Sequence, residues 1–173
     1  MKPWLRRVLA TLALLAGTVA VAEEPLWVGT FAVRESSDRA VQAAIETAVE
    51  KMNFIARAVA RSRLRKTNPV YQRIVIERTD ELIAVQFDDR KPIEMPADGS
   101  RTRWTREDGE VFDVNAEALG GKLVQTFEAE DGRRVNTFSA NEAGQLTMEV
   151  EVSSPQLPIP VFYTLLYERD PTP

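Results

Sequence analysis

From residue 70 onward, the chain is a succession of short β-rich runs separated by turn signals. Three Asp-Gly pairs, at positions 98–99, 108–109 and 131–132, stand between these runs. An Asp-Gly pair between alternating apolar residues is typical of a β-hairpin turn. Leu146, Met148 and Val150 alternate with polar residues in the plainest of the runs. This alternation predicts antiparallel strands with one buried face, joined by short turns.

The pattern predicts about ten strands, a typical number for a closed antiparallel sheet. The predicted strands are 26–33, 70–78, 82–89, 91–95, 101–106, 110–116, 121–129, 133–140, 145–152 and 161–169. Closure of such a meander into a barrel removes the exposed edges that an open sheet would leave. We therefore expect a mainly-β, up-and-down antiparallel barrel of about eight to ten strands. A two-sheet sandwich is the alternative.

One long helical insertion is predicted between the first and second strands, at about residues 36–66. Ser36, Ser37 and Asp38 are good N-cap residues, and no Gly or Pro follows them within the run. Apolar residues recur at spacings of three and four: Val41, Ile45, Ala48, Met52, Ile55 and Val59. They predict a single apolar stripe that is buried against the rest of the fold.

Residues 1–22 have the pattern of a cleavable signal peptide. Lys2, Arg6 and Arg7 precede an uncharged run rich in Leu and Ala, and Ala20 and Ala22 are the small residues expected at a cleavage site. A retained membrane anchor is the competing interpretation, but it needs about 20 apolar residues. We expect cleavage after Ala22 and a periplasmic or secreted protein. Residues 23–169 then form one domain, followed by a disordered tail at 170–173.

The composition excludes several kinds of function. The chain contains no Cys and no His, so disulfides, thiolate or imidazole metal sites and Ser-His or Cys-His catalysis are ruled out. Removal of the leader leaves 19 Lys and Arg against 26 Asp and Glu, a net charge near −7. This charge disfavours a nucleic-acid partner. No pair of carboxylates is placed for acid and base catalysis, so we expect a non-enzymatic protein without a cofactor or a metal.

The order of elements, together with several short motifs, resembles the calycins, which include fatty-acid-binding proteins and lipocalins. One first strand, a helical insertion and then a meander is the plan of the fatty-acid-binding proteins. The matching segments are Gly29-Thr30-Phe31, Gly120 to Gln125, Asp131-Gly132-Arg133, Gln145 to Glu149 and Tyr167-Glu168-Arg169. The resemblance implies a β-barrel that holds a small hydrophobic ligand, with the helix near its opening.

The residues that hold a fatty-acid carboxylate in that family are missing from the matching positions. The family has an Arg two residues before the Tyr of its last strand, where this chain has Leu165, and a second Arg near the position of Ser139. A buried carboxylate without a cation costs several kcal/mol. The resemblance therefore implies a neutral ligand, or one whose head group lies at the barrel mouth.

Two function hypotheses follow from these patterns. The first is an exported binding protein for a small apolar or lipid-like molecule, with these candidate ligand-binding residues: Tyr163, Leu165, Tyr167, Phe127, Met52 and Ile55. The second is a structural or protein-interaction module of the cell envelope, with a filled barrel. Its candidate contact surface for a partner or a membrane is Phe54, Arg57, Arg61 and Arg65. A continuous cavity in the barrel distinguishes the two hypotheses.

Overall fold

The computed structural model describes residues 24–34 and 38–170. The predicted signal peptide, the caps Ser36 and Ser37 and residues 171–173 lie outside this part of the chain. Asp170, which the sequence assigns to a disordered tail, is held to the barrel because its backbone N–H donates to the Thr30 carbonyl at 2.9 Å.

Ten antiparallel strands form one sheet that curves into a nearly closed barrel, which confirms the predicted fold class. The strands are β1 (Gly29–Val33), β2 (Arg73–Arg78), β3 (Leu82–Phe87), β4 (Ile93–Pro96), β5 (Thr102–Thr105), β6 (Val111–Leu119), β7 (Lys122–Ala129), β8 (Gly132–Ala140), β9 (Gln145–Ser153) and β10 (Val161–Arg169). Strands β1 to β4 pair in sequence order, as do β5 to β10, and β1 pairs with β10 to join the two runs. The two ends of the sheet, β4 and β5, approach each other without a hydrogen-bonded register between them.

The strand register stacks the inward-facing side chains in rows across β6 to β10. The first row is Val161, Val152, Arg134, Phe127 and Val114. The second row is Tyr163, Val150, Asn136, Gln125 and Ala116. The third row is Leu165, Met148, Phe138 and Leu123, and the fourth is Tyr167, Leu146 and Ala140. We call the first two rows the mouth half of the barrel and the last two the closed half.

A group of side chains at the start of β1 and the end of β10 seals the closed half. The Arg169 guanidinium donates to the carbonyls of Leu26 at 2.6 Å and Val28 at 2.9 Å, and it lies 4.8 Å from the centre of the Phe31 ring. Trp27 is fully buried nearby in the chain, and the Arg78 guanidinium lies 5.9 Å from the centre of its ring. Gly29 has a φ of 138°, a backbone conformation that other residues rarely adopt, which favours glycine beside this guanidinium.

Two helices, rather than the single predicted one, connect β1 to β2: α1 (Asp38–Val49) and α2 (Phe54–Thr67). The prediction of one continuous helix at 36–66 is wrong because Asn53 adopts an extended backbone and caps α2. Its side chain accepts a hydrogen bond from the Ala56 N–H at 3.0 Å. An Asn in this position satisfies an otherwise unpaired donor of the first turn, which favours a new helix start over continuation.

The break divides the apolar stripe into two parts with different surroundings. In α1, Val41, Ile45 and Ala48 are fully buried, and the helix packs against β10. In α2, by contrast, Ile55 is 74% exposed and Val59 is 65% exposed. Helix α1 is therefore anchored by its stripe, whereas α2 lies across the open end of the barrel with little of its own apolar surface buried.

Candidate functional site

The mouth half encloses a cavity of about 890 Å³. In an up-and-down meander, alternate turns fall at the same end of the barrel, and here the turns after β3, β5, β7 and β9 all border this cavity together with α2. Ligand pockets in proteins typically measure about 300–1,000 Å³. The closed half contributes no lining residue from its third and fourth rows on β6 to β10. The barrel is thus hollow near its mouth and filled below.

Aromatic side chains form one wall of the cavity. The rings of Trp104, Phe112 and Phe127 lie 5.7 to 6.1 Å apart, centre to centre, two of the three contacts being edge-on. Tyr71 and Phe87 also line the cavity, and their rings stack at 4.4 Å. Offset and edge-on contacts of this kind fix the rings against one another. The result is a rigid, apolar wall suited to a hydrophobic molecule.

A connected group of polar side chains lies in the mouth half, centred on Arg134. Its Nε donates to the Asn136 Oδ1 at 2.8 Å, and its Nη1 donates to the Asn68 Oδ1 at 2.9 Å. The Asn136 amide donates in turn to the Gln125 Oε1 at 3.0 Å. The Tyr163 hydroxyl also donates to Asn68, at 3.1 Å, and burial raises the pKa of this phenol. Asn136 and Gln125 are fully buried, and each makes a hydrogen bond within this group, as buried polar side chains generally do.

Ion pairs connect the turns at the mouth with one another and with α2. Arg63 of α2 lies 2.9 Å from Asp131 in the turn after β7, and Glu110 after β5 is 3.7 Å away. Arg106 pairs with Asp108 at 2.8 Å and also with Glu110. Hydrogen bonding from Arg106 lowers the pKa of Asp108 to about 2, and the same bond raises the pKa of Arg106. These contacts hold α2 and the turns together around the opening.

The structure divides the six candidate ligand-binding residues among different environments. Phe127 and Met52 line the cavity. Tyr163 is buried beneath it and contacts its border through the hydroxyl bond to Asn68. Leu165 and Tyr167 lie in the third and fourth rows, packed in the closed half and away from the cavity lining.

Ile55, the remaining candidate, faces outward. It belongs neither to the cavity lining nor to the core, because the break before α2 rotates it away from the barrel. Sequence reasoning placed it on the same stripe as Val41 and Ile45, and that stripe does not continue past Asn53.

The predicted contact surface is split in a similar way. Phe54 is 86% exposed at the start of α2. Arg57, however, donates to the carbonyls of Glu50 and Met52 in the connection that follows α1. Arg61 forms a paired bond with Glu46 at 2.7 Å, and Arg65 lies 3.1 Å from the same carboxylate. The three arginines therefore tie α2 to α1, and Arg61 lowers the pKa of Glu46.

Sequence reasoning missed the most polar part of the site. Arg134 follows Arg133 directly, and alternation places one of the two inside the barrel and the other outside. A shift of one residue in the register would exchange them, so the sequence does not say which side chain enters the cavity. Ser139, the position matched to a family arginine, lies between the inward-facing Phe138 and Ala140 and faces outward.

Two further features concern the described ranges 24–34 and 38–170. No group of three or more Asp or Glu side chains is arranged there to hold a metal ion. Neither helix in this part of the chain is long and apolar enough to cross a bilayer.

Comparison with known proteins rests on structure, since no protein-family model and no curated protein sequence matches the chain. An abundant heat soluble (SAHS) protein from Ramazzottius varieornatus superposes with a TM-score of 0.57 at 9% identity, over 86% of this chain and 98% of that one. The fold is calycin-like.

Two other calycin-like structures superpose to a similar degree. Fatty-acid-binding protein 1 of Echinococcus granulosus gives a TM-score of 0.55 at 9% identity, with 84% of this chain and 98% of that one covered. Lipid binding protein 8 of Caenorhabditis elegans gives 0.54 at 10% identity, with 87% of this chain and 100% of that one covered. At such low identity the likeness concerns the fold of the chain.

Proposed function

We propose that this protein is an exported, non-enzymatic carrier of one small apolar or lipid-like molecule, held in the mouth half of the barrel. The observation that carries the proposal is the cavity of about 890 Å³ with its aromatic wall. A barrel that served only as a scaffold gains stability by filling this space, because unfilled volume in a core costs free energy. The signal-like residues 1–22 support export.

The chemistry around the cavity supports binding rather than catalysis. The charged groups at the mouth are mostly engaged with one another, as in Arg63 with Asp131 and Arg106 with Asp108. A general acid or base needs a carboxyl whose pKa is raised towards neutrality; the carboxyl pKa values that are shifted at this end of the barrel, such as that of Asp108, are lowered. Two of the superposed proteins are named for fatty-acid or lipid binding.

Native mass spectrometry of the mature protein, purified from the compartment to which it is exported, tests the carrier function directly. We expect a stoichiometric adduct that organic extraction releases as an apolar molecule. Titration with the neutral fluorescent probe N-phenyl-1-naphthylamine measures the same site in delipidated protein. No adduct and no saturable probe binding would contradict the proposal.

A matched pair of variants locates the binding. Val152 lines the cavity, so Val152→Trp places an indole in the space and should abolish probe binding. Val124 lies on β7, outside the cavity lining, and Val124→Trp is the control for the same change of residue. Equal probe affinity of the two variants would show that the molecule binds elsewhere.

A second function is favoured by one specific observation: Phe54, Ile55 and Val59 are all largely exposed on α2, beside the mouth. Exposed apolar residues on a helix that carries five cations and no acidic residue suit contact with an anionic membrane. This surface differs from the predicted one because Arg57, Arg61 and Arg65 are engaged with α1. The protein should float with vesicles that contain phosphatidylglycerol. Replacement of all three apolar residues by Ser should prevent this flotation. Failure of the unmodified protein to float would contradict the membrane contact.

A further inference from the structure

The cavity in the mouth half is wide and shallow. It extends around the barrel wall from Phe87 on β3, past the unpaired ends of the sheet at β4 and β5, to Val152 on β9. In depth, its lining on β6 to β10 goes no further than the second row, where Asn136 borders it. Successive rows are about 7 Å apart, because they are separated by two residues of a strand. The volume of about 890 Å³ is therefore spread across the barrel rather than along its axis.

Large side chains of the third row form the floor of this cavity. Phe138, Met148 and Leu165 are at most 1% exposed. The Phe138 ring lies 6.5 Å from the ring of Phe87, which lines the cavity. The space below the second row is thus occupied by the chain itself, and a bound molecule has to lie above this floor.

A long alkyl chain and a flat ring system use such a space differently. A chain that enters from the mouth has to bend above the floor, and it loses the freedom of many rotatable bonds when it is held in one bent shape. A rigid, flat molecule has no such freedom to lose, so more of its apolar contact is realised as affinity. A wide, shallow cavity therefore favours rings over chains of equal carbon content.

The wall of the cavity favours aromatic rings in particular. Trp104, Phe112 and Phe127 all line the cavity, and their mutual contacts hold them in place. Edge-to-face and offset contacts between aromatic rings add to the effect of buried apolar area. The Arg106 guanidinium, which also borders the cavity, lies 5.2 Å from the centre of the Phe112 ring. A guanidinium attracts the electron-rich face of a ring, so this edge of the wall is suited to an aromatic ligand as well.

We propose that the cargo is a flat, multi-ring aromatic molecule that lies across the mouth half, and that the floor of Phe138, Met148 and Leu165 excludes long alkyl chains. This inference rests on the carrier function and names its ligand class. The three floor residues determine specificity through shape, because they fill the volume into which a chain would otherwise descend. A ligand of this class needs no carboxylate anchor, which fits the absence of arginine at positions 165 and 139.

Displacement of N-phenyl-1-naphthylamine by 1-hydroxypyrene and by hexadecan-1-ol tests the inference in the unmodified mature protein. The two competitors have the same number of carbon atoms and one hydroxyl group each, and they differ in shape. Hydrophobicity alone favours the alcohol, which has the larger apolar surface. We expect 1-hydroxypyrene to bind at least tenfold more tightly. Equal affinities, or tighter binding of the alcohol, would overturn the inference and leave the carrier function intact, whereas failure of the probe and both competitors to bind would contradict the carrier function.

A series of straight-chain alcohols from octan-1-ol to hexadecan-1-ol measures the depth of the site. Each methylene that becomes buried should raise the affinity about fourfold. We expect this rise to stop before hexadecan-1-ol, because the later carbons find no space above the floor. A constant rise through the whole series would show that the chain passes the third row, and it would overturn the inference.

Phe138→Ala opens the floor and should raise the affinity for hexadecan-1-ol at least fivefold, while that for 1-hydroxypyrene changes less than twofold. Phe31→Ala is the matched control, because Phe31 is equally buried and lies beside Arg169 at the far end of the barrel. Both variants lose a core ring, so a gain confined to Phe138→Ala is an effect of the floor. An unchanged preference for 1-hydroxypyrene in folded Phe138→Ala would count against the floor as the selecting feature.

Trp104→Leu replaces an aromatic part of the wall by an aliphatic side chain. The affinity for 1-hydroxypyrene should fall about fivefold more than that for hexadecan-1-ol, since ring contacts are lost and an apolar surface remains. Phe162→Leu is the control, because Phe162 is 60% exposed on the outer face of β10 and does not line the cavity. Equal losses for the two competitors in Trp104→Leu would overturn the assignment to aromatic molecules.

Discussion

The closed half and the mouth half of the barrel are built from the same strands and differ in what occupies the space between them. In the third row Leu165, Met148 and Phe138 are essentially inaccessible and fill the interior. Two rows higher, Arg134 and Val152 border an open cavity. One continuous sheet therefore has two different interiors along the strand direction. The lower rows stabilise the fold, and the upper rows leave room for a ligand.

The helices repeat this division. Helix α1 buries Val41, Ile45 and Ala48, so it is stabilised by apolar packing, as the closed half is. Helix α2 buries Leu64 and depends on polar contacts such as those of Arg63 and Asn68. Polar surface contacts contribute little stability individually, so we expect α2 to open at a lower free-energy cost than α1.

The largest expected effect comes from truncating one phenylalanine in each half. Phe138→Ala removes a ring from the filled half and should lower the free energy of unfolding by about 3–5 kcal/mol. Phe127→Ala should cost less than half as much, because its ring already borders empty space, and it should also weaken probe binding. Urea denaturation measures both. Equal losses would show that the two halves contribute alike to stability.

Two tyrosines give the next comparison. Tyr163→Phe removes a hydrogen bond to Asn68 and should cost about 1 kcal/mol of stability. The buried Tyr167 hydroxyl has no hydrogen-bond partner in the described part of the chain, so Tyr167→Phe should be neutral or slightly stabilising. Thermal unfolding of the two variants decides the order. A larger loss for Tyr167→Phe would contradict the packing described for the closed half.

A third prediction concerns the tie between α2 and the turns. Arg63→Gln removes the ion pairs to Asp131 and Glu110, and amide hydrogen exchange in α2 should become severalfold faster, with little change in β8 and β9. The global free energy of unfolding should change by less than about 1 kcal/mol. Arg101→Gln, which removes an ion pair with Glu128 away from α2, is the control. Unchanged exchange in α2 would argue against a role of Arg63 in holding the helix.

The smallest effect is expected at acid pH, in the mouth turns. Asp108 has a pKa of about 2 in the folded protein against an ordinary value of 3.8. A carboxylate whose pKa is lowered by folding stabilises the fold above its ordinary pKa, and this contribution is lost as the pH falls from 3.8 towards 2. Asp108→Asn should therefore lose less stability than the unmodified protein over this range. Unfolding midpoints at a series of pH values measure the difference, and parallel curves would contradict it.

The fold was accessible from the sequence because its information is local. Alternation from Leu146 to Val152 and the Asp-Gly turns identify hairpins without knowledge of the rest of the chain. The break at Asn53 was missed because a single N-cap residue separates the two helices. The apolar spacing on either side of it gives no sign of the interruption. A strong cap residue inside such a run deserves equal weight with the apolar spacing.

The site was less accessible because it depends on distances between strands that are far apart in sequence. Whether Phe127 borders a void or a neighbour depends on the circumference of the whole barrel. Whether Arg134 or Arg133 points inward depends on a register that one residue reverses. The matched family positions at Leu165 and Ser139 gave no indication of an internal cation, because the cation occupies a different row.

The unpaired seam between β4 and β5 sets how the barrel can change size. Neighbouring strands elsewhere are joined by backbone hydrogen bonds, whereas these two meet without a ladder. The barrel can therefore widen by separation of β4 from β5, without loss of any backbone hydrogen bond between paired strands. The spacing of the hydrogen-bonded strands elsewhere stays fixed while the distance between β4 and β5 changes.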